Sequence, residues 1–143
     1  MLITRELDYA MRTLRALHRH GLLSAGAVAE LEHMPKAITL KLLKQLSAAG
    51  LVASRRGAAG GYRLARNPAE MTIYDILDAV GERILVNRCQ QPGYLCENNT
   101  EHSCGLCVEF GHIQQVLDNA LRRAPLGALF EPSEPMFTVP LSL

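Results

Sequence analysis

The stretch of sequence that decides the fold is LVASRRGAAGGYRL, residues 51–64. Residues 51–55 and 62–64 are predicted to form two short strands. Three of the six residues between them are glycines, which adopt turn conformations that other residues resist. We therefore interpret the stretch as a β-hairpin. Because it has a glycine-rich tip and follows a pair of short helices, the hairpin is typical of the wing in a winged helix-turn-helix.

Three helices are predicted upstream of this hairpin. Apolar residues recur at helical spacing from Thr4 to about Arg19, and a second, short helix begins after the capping residue Ser24. A tight turn at residues 33–35 leads into a third helix, which ends at Gly50. The second and third helices are a candidate helix-turn-helix, so the fold class is predicted to be mainly α with a small β wing. The inner face of the third helix is predicted to contain Ile38, Leu42, Leu46 and Ala49.

Two further helices are predicted downstream. Thr72 and Asp75 form a capping pair at the start of one, which ends at Gly81. The other runs from about Gly105 to Arg123 and has a long apolar stripe. Pairing with the same helix of a second chain would cover this stripe, and packing on its own core is the alternative. The predicted units are a winged helix-turn-helix domain (1–81), a cysteine-rich cluster-binding loop (82–104), a dimerisation helix (105–130) and a tail (131–143).

Positive charge is concentrated in the first half of the chain. Residues 1–66 contain eleven Lys and Arg against four Asp and Glu, a net charge of +7, whereas residues 67–143 carry a net charge of −6. This balance is expected of a protein that neutralises DNA phosphates, although a solvated surface would also give it. An α-helix fits the major groove of double-stranded DNA, and an arginine beside the glycine-rich tip can approach the minor groove. The candidate DNA-contacting residues are Lys36, Ala37, Thr39, Lys41, Lys44, Arg56 and Tyr62.

All four cysteines lie between Cys89 and Cys107, with six, seven and two residues between successive members. The N-terminus has no apolar signal core, and no window approaches eighteen uninterrupted apolar residues, so we expect a cytoplasmic protein with no membrane partner. In that reducing compartment, clustered cysteines are expected to be metal ligands or redox thiols rather than disulfides. No constellation of residues for catalysis is placed by the sequence, so an enzyme is not expected.

The chemistry of these cysteines leaves three alternatives open. Four thiolates suit either an iron–sulfur cluster or tetrahedral zinc. Only Cys104 and Cys107 have the short spacing that structural zinc sites commonly use twice, which argues against a zinc ribbon. The same pair begins the long helix, where the helix dipole is expected to favour thiolates. A dithiol switch at this pair is the third alternative, although the strand–helix–strand context of thioredoxin-like motifs is absent.

Several motifs occur together in this chain: LIT at residues 2–4, DYAMR at 8–12, GLV to RG at 50–57, GGY at 60–62 and RC at 88–89. In this combination, and over nearly the whole chain to about Phe130, the sequence resembles the Rrf2 family of bacterial regulators, of the IscR/NsrR type. The resemblance implies a dimeric winged-helix transcription factor. It also implies an iron–sulfur cluster that senses iron–sulfur status, nitric oxide or redox conditions.

The resemblance assigns site residues as well. It implies that Arg56 is the wing arginine that enters the minor groove. It implies three loop ligands, which are Cys89, Cys96 and Cys104. Cys107 stands where the assembly-type regulator has a ligand histidine, and Asp8 matches an aspartate that reaches the cluster from the partner subunit in nitric-oxide-sensing relatives. Cys107 and Asp8 are therefore rival fourth ligands, whereas His102 and His112 are weaker candidates.

The sequence thus predicts a homodimeric repressor that binds a palindromic operator in double-stranded DNA. Its cofactor is predicted to be an iron–sulfur cluster. The family pattern has five residues between successive loop cysteines, whereas this chain has six and seven, so both 2Fe–2S and 4Fe–4S stay open. A zinc-stabilised regulator and a metal-free thiol-switch regulator are the alternatives.

Overall fold

The computed structural model describes residues 3–96 and 104–131. Its elements follow the order expected of a winged helix-turn-helix, with one hairpin among helices. The elements are α1 (Arg5–His20), α2 (Ala25–Leu31), α3 (Lys36–Ala48), β1 (Val52–Arg55), β2 (Gly61–Leu64), α4 (Ile73–Val80), α5 (Gly105–Arg123) and α6 (Leu126–Phe130). Two 3₁₀ turns, Pro68–Glu70 and Arg88–Gln90, flank α4.

The helix boundaries follow from local capping chemistry. The Thr4 side chain accepts a hydrogen bond from the Leu7 N–H at the start of α1, and Ser24 does the same for α2. Thr72 and Asp75 form a reciprocal capping box at α4. These interactions satisfy backbone donors that have no partner within the helix, so the predicted helix starts are confirmed.

The orientation of α3 differs from the prediction. Thr39 is fully buried, and its hydroxyl donates to the Pro35 carbonyl at 3.1 Å. Ile38 and Ala49 are exposed, so the predicted outward face for Thr39 and the inward faces for these two residues are wrong. Residues three and four apart lie on one side of a helix, which places Thr39 with the core leucines rather than with the lysines. The buried face of α3 consists of Thr39, Leu42, Leu43 and Leu46.

The wing is a two-stranded antiparallel hairpin in which Val52 pairs with Leu64 and Arg55 pairs with Gly61. Its second strand also pairs with the segment before α2, because the Leu23 and Tyr62 backbones exchange hydrogen bonds of 3.0 and 2.7 Å. A Cβ at Gly61 would lie 2.6 Å from the Leu23 carbonyl oxygen. Glycine at this position therefore lets the wing lie directly against the helix-turn-helix.

The hydrophobic core is continuous from α1 to α6. Leu126 and Phe130 are at most 4% exposed. The Leu126 N–H donates to the Met71 carbonyl at 2.8 Å, and Arg19 donates to the Phe130 carbonyl at 3.1 Å. The long helix α5 ends at Arg123, as predicted, and the short helix α6 then returns the chain to the winged domain. The core also includes Ile84, which lies beyond the predicted boundary at residue 81.

The apolar stripe of α5 is divided between two environments. Leu117 and Leu121 pack against the core, whereas Leu106, Ile113 and Val116 are 50–71% exposed. Part of the stripe therefore packs on the chain's own core, and the rest is available for pairing with a second chain. Within residues 3–96 and 104–131, no helix combines the length and apolar character needed to span a membrane. The proline-containing tail lies outside the described residues, except for Glu131.

The end of α2 is fixed to α1 by a buried carboxylate. Glu32 is 8% exposed, and its side chain accepts hydrogen bonds from Arg15 at 2.5 Å and Arg12 at 3.4 Å. Arg12 also donates to the Glu32 carbonyl oxygen. Burial alone raises the pKa of Glu32, but the hydrogen bonds and charges of Arg15 and Arg12 outweigh it and hold that pKa below its usual value. This cluster sets where the α2–α3 turn lies relative to α1.

The glycine at position 61 can be tested by substitution. We expect Gly61→Ala to lower the free energy of unfolding by about 1–3 kcal/mol, because the added methyl group overlaps the Leu23 backbone. Chemical denaturation followed by circular dichroism measures this change. Gly105→Ala is the matched control, because a Cβ there meets open space. Unfolding at wild-type denaturant concentration would show that the wing does not rest on Leu23.

The Glu32 cluster predicts a pH dependence of stability. Because the folded pKa is lowered, ionised Glu32 stabilises the fold above its ordinary pKa of 4.5, and this contribution is lost as the pH falls through the folded value. We expect Glu32→Gln to lower the unfolding free energy by about 2 kcal/mol at neutral pH. The difference from wild type should shrink below about pH 4.5.

Thermal unfolding measured across this pH range tests the expectation, with Glu30→Gln as the control. Glu30 is an exposed carboxylate on the same helix, so its substitution should leave the acid limb unchanged. A constant gap between wild type and Glu32→Gln from neutral pH to pH 3 would contradict the proposed role of the ionised carboxylate.

Candidate nucleic-acid interface and cysteine site

Exposed basic residues lie both on α3 and at the end of β1, and together they are called the basic surface. Five exposed residues lie on it, which are Lys36, Ala37, Lys41, Lys44 and Arg56. Arg55 precedes Arg56 and is exposed as well, so the wing presents two adjacent cations. Cations on one helix and on a neighbouring loop tip are suited to contact phosphates along a groove of DNA. Thr39 is not part of this surface because it is buried.

Two of the candidate DNA-contacting residues have partners within the chain. The Lys41 ammonium lies 2.7 Å from a Glu6 carboxylate oxygen, and both side chains are partly exposed. Exposed pairs of this kind contribute at most about 1 kcal/mol, so a phosphate can replace the carboxylate at little cost. Tyr62 is half-buried and packs against the core. Its backbone pairing with Leu23 makes it a support for the wing, whatever its hydroxyl contacts.

The exposed side of α3 also contains apolar side chains, which the sequence pattern did not predict there. Leu40 is 37% exposed and Ile38 is 36% exposed. Leu40 lies one turn from Ala37 and next to Lys41 along the chain. Apolar side chains in the major groove contact the thymine methyl group. The sequence did contain an indication of these exposed side chains, because α3 has more apolar residues than one buried face can accommodate.

All four cysteines line a single cavity of about 270 Å³ between the 3₁₀ turn at Arg88–Gln90 and the start of α5. Cys89 lies on the 3₁₀ turn, Cys104 immediately precedes α5, and Cys107 lies in its first turn. Cys96 comes from the intervening loop, and each of the four is half-buried. The remaining lining residues are Asn87, Tyr94, Leu106 and Phe110. The fold therefore brings together cysteines that are up to eighteen positions apart in sequence.

Gln90 contacts two of these cysteines. Its side-chain amide donates to the Cys107 carbonyl at 2.9 Å and lies 3.5 Å from the Cys89 sulfur and 3.6 Å from the Cys107 sulfur. The pKa of the Cys107 thiol is raised, chiefly by its hydrogen bond with Cys89 and then by burial and the charges of Cys89 and Cys104. At Cys107, the neighbouring thiols and burial thus act in the direction opposite to the one predicted for the helix dipole.

The donor chemistry of the cavity fits an iron–sulfur cluster or zinc, since four thiolates are a complete soft ligand set. Among residues 3–96 and 104–131, however, no three His, Cys, Asp or Glu side chains are close enough to hold one ion. The cavity thus collects four sulfur donors from the 3₁₀ turn, the loop and the start of α5.

The other ligand candidates lie apart from the sulfurs. Asp8 lines a different cavity and lies 3.4 Å from Arg12, so it does not join the cysteines within one chain. His112 is exposed on α5 and lies 3.7 Å from Glu109. His102 falls outside the described residues. Within a single chain, Cys107 is therefore the fourth candidate ligand that shares a cavity with Cys89, Cys96 and Cys104.

The segment that joins α4 to the cysteine site is fastened to α5 by Gln114. Its amide donates to the Ile84 carbonyl at 2.8 Å, and its carbonyl accepts from the Val86 N–H at 2.8 Å. A third hydrogen bond, from the same amide to Asp118 at 2.9 Å, fixes the orientation of the side chain. These hydrogen bonds connect α5 to the residues that follow α4.

Comparisons with known proteins agree with this geometry. The family model named Rrf2, described as an iron-dependent transcriptional regulator, matches residues 3–132. The HTH-type transcriptional regulator IscR of Vibrio vulnificus is 29% identical over 138 residues, covering 94% of this chain and 80% of the relative.

Solved structures share the fold. The global cysteine regulator CymR of B. subtilis has a TM-score of 0.74 at 23% identity, covering 94% of this chain and 99% of that one. IscR of T. potens has a TM-score of 0.70 at 19% identity, covering 94% of each chain. These likenesses confirm the predicted fold class.

Proposed function

Because the chain belongs to the Rrf2 family of transcriptional regulators, we propose that it is a homodimeric repressor whose operator affinity is set by an iron–sulfur cluster at the cysteine site. Members of this family are DNA-binding regulators and not enzymes. The observation that carries the proposal is the single cavity lined by all four cysteines, next to the linker that follows the winged domain. Regulation requires the cofactor site to be in contact with the part of the fold that binds DNA. Here α5 contacts the residues that follow α4, and α4 in turn packs against α3.

The proposed ligands are the four cysteines of the cavity. All-thiolate ligation is typical of both 2Fe–2S and 4Fe–4S clusters, and the iron-dependent description of the family favours iron over zinc. When bound, a cluster supplies a centre that can be oxidised, reduced or lost. If the fourth ligand is instead Asp8 of the partner subunit, Cys107 is left as a free thiol at the start of α5.

The proposed switch acts through the linker between α4 and the 3₁₀ turn. A cluster held by these cysteines would fix Cys89 on the 3₁₀ turn and Cys107 on α5 relative to each other, and so would set the position of α5 relative to the residues that follow α4. Gln114 connects α5 to two of these residues, Ile84 and Val86. A ligand can shift a conformational equilibrium only by its difference in affinity for the two states, so the cluster must favour one state by a few kcal/mol.

The proposed dimer is formed by the exposed side of α5. Leu106, Ile113 and Val116 are 50–71% exposed and lie on the helix that contains Cys107 and directly follows Cys104. A second copy of the same helix would remove them from water. Two-fold symmetry then predicts a palindromic operator with its half-sites on one face of the DNA.

The proposed DNA contacts divide between α3 and the wing. Lys36, Ala37, Lys41 and Lys44 are assigned to the major groove. Arg56, which is exposed beside the glycine-rich tip, is assigned to the minor groove. Tyr62 supports the wing from its half-buried position.

A metal-free thiol switch is the second candidate function. The observation in its favour is the closeness of Cys89 and Cys107: the Cys107 thiol lies 3.9 Å from the Cys89 carbonyl oxygen, and the Gln90 amide nitrogen lies 3.5 and 3.6 Å from the two sulfurs. Oxidation would join them in a disulfide, with the two electrons and two protons passing to an oxidant such as a peroxide. The zinc-stabilised alternative predicts a colourless protein with stoichiometric zinc.

The wing contact is tested by Arg56→Ala. We expect the free energy of operator binding to weaken by about 1–3 kcal/mol. The slope of log affinity against log salt should decrease by about one, because the substitution removes one positive charge from the interface with the DNA phosphates. Gel-shift or anisotropy titrations at several salt concentrations measure both quantities. Arg123→Ala, an exposed arginine at the end of α5, is the matched control. Unchanged affinity for Arg56→Ala would remove this residue from the DNA contact.

The cysteine site is tested by Cys89→Ala and Cys104→Ala in protein purified without oxygen. We expect each substitution to abolish the visible absorbance together with bound iron and sulfide, because a cluster that loses one thiolate is released. The Arg56→Ala protein serves as the control and should keep its colour. Retained iron in both cysteine variants would place the cluster elsewhere. A wild-type protein without iron that loses two hydrogens on mild oxidation, reversibly with dithiothreitol, would favour the thiol switch.

A further inference from the structure

The side chain of Gln90 contacts the Cys89 and Cys107 sulfurs but is not itself a thiolate ligand. Its side-chain nitrogen lies 3.5 Å from the Cys89 sulfur and 3.6 Å from the Cys107 sulfur. The same nitrogen donates to the Cys107 carbonyl at 2.9 Å, which holds the amide between the 3₁₀ turn and the first turn of α5. One amide group therefore faces both of the sulfurs that come from opposite sides of the cavity.

The oxygen of the Gln90 amide lies close to α5 at Gly111. A Cβ at Gly111 would lie 3.4 Å from the Gln90 side-chain oxygen, so glycine at that position lets the amide lie close against α5. Gln90 also lines the neighbouring cavity together with Ile84 and Gln114. Its side chain thus stands between the cysteine site and the linker that follows α4.

We propose that Gln90 is a positioning residue for the metal-bound thiolates: one N–H of its side-chain amide donates to the Cys107 carbonyl, and the other is shared between the Cys89 and Cys107 sulfurs. This inference rests on the proposed function, because it concerns the same cysteine site. An amide N–H that points at a thiolate stabilises its negative charge, and such outer hydrogen bonds typically change metal affinity 10- to 100-fold. They also stabilise the reduced, more negative state of a cluster and so raise its reduction potential.

Gln90→Met and Gln90→Glu test the proposal with graded chemistry. Methionine keeps the length of the side chain and removes the N–H donor. Glutamate keeps the shape and places a negative charge beside the sulfurs. Gln91→Met is the matched control, because Gln91 is the adjacent, exposed glutamine.

Two measurements separate positioning from a structural role. Reduced, metal-free protein is titrated anaerobically with Co²⁺ against a competing chelator, and the thiolate-to-cobalt absorbance gives the affinity. We expect Gln90→Met to bind Co²⁺ about 10- to 100-fold more weakly than wild type. In the protein carrying its cluster, the reduction potential should fall in the order wild type, Gln90→Met, Gln90→Glu, whereas Gln91→Met should match wild type.

The outcomes distinguish this inference from the proposed function. If wild type holds a cluster and both Gln90 variants match it in Co²⁺ affinity and potential, the role of Gln90 is overturned while the proposed function stands. Lower affinity with an unchanged potential in both variants would show a merely structural role and would also overturn it. A wild-type protein that takes up neither iron nor Co²⁺ overturns both proposals together.

Discussion

The burial of one apolar face of α1 is the constraint on which the rest of the structure depends. Leu7, Leu14 and Leu17 are at most 1% exposed, and α3, α4 and β2 all pack against this helix. Burying a leucine contributes about 1.5–3 kcal/mol, so these side chains dominate the local energetics. The basic surface is attached to this frame through α3, and the cysteine site is attached through α4 and α5. Helix α1 therefore sets the positions of both the basic surface and the cysteine site.

Polar and apolar contacts together attach the cysteine site to this frame. Leu117 and Leu121 of α5 pack against the core, whereas Gln114 holds the backbone at Ile84 and Val86 and Gln90 holds the backbone at Cys107. Hydrogen bonds of this kind each contribute about 1 kcal/mol net, well below the burial energy of the core. Breaking these hydrogen bonds therefore costs far less free energy than exposing the core. Under the proposed function, this junction is where a cofactor at the cysteines would act on the fold.

The parts of the fold that depend on local chemistry could be predicted from the sequence. Thr4, Ser24 and Thr72 cap helices through hydrogen bonds that span three residues, so their effect is visible in a short window. The orientation of Thr39 depends on which leucines of α3 meet α1, a choice made by tertiary packing. The five-residue helix α6 is too short for a periodic signal and owes its position to the burial of Leu126 and Phe130.

The cysteine site shows the same division in its chemistry. Its members could be identified from their clustering in sequence, but their convergence on one cavity depends on how the loop meets α5. The helix-dipole argument considered Cys107 alone, whereas in the fold its pKa is raised by Cys89, by burial and by Cys104. Several thiols that share a cavity oppose each other's ionisation, since each new negative charge is placed beside another. A bound cation would relieve that opposition, so under the proposed function metal binding at this site would be coupled to release of the thiol protons.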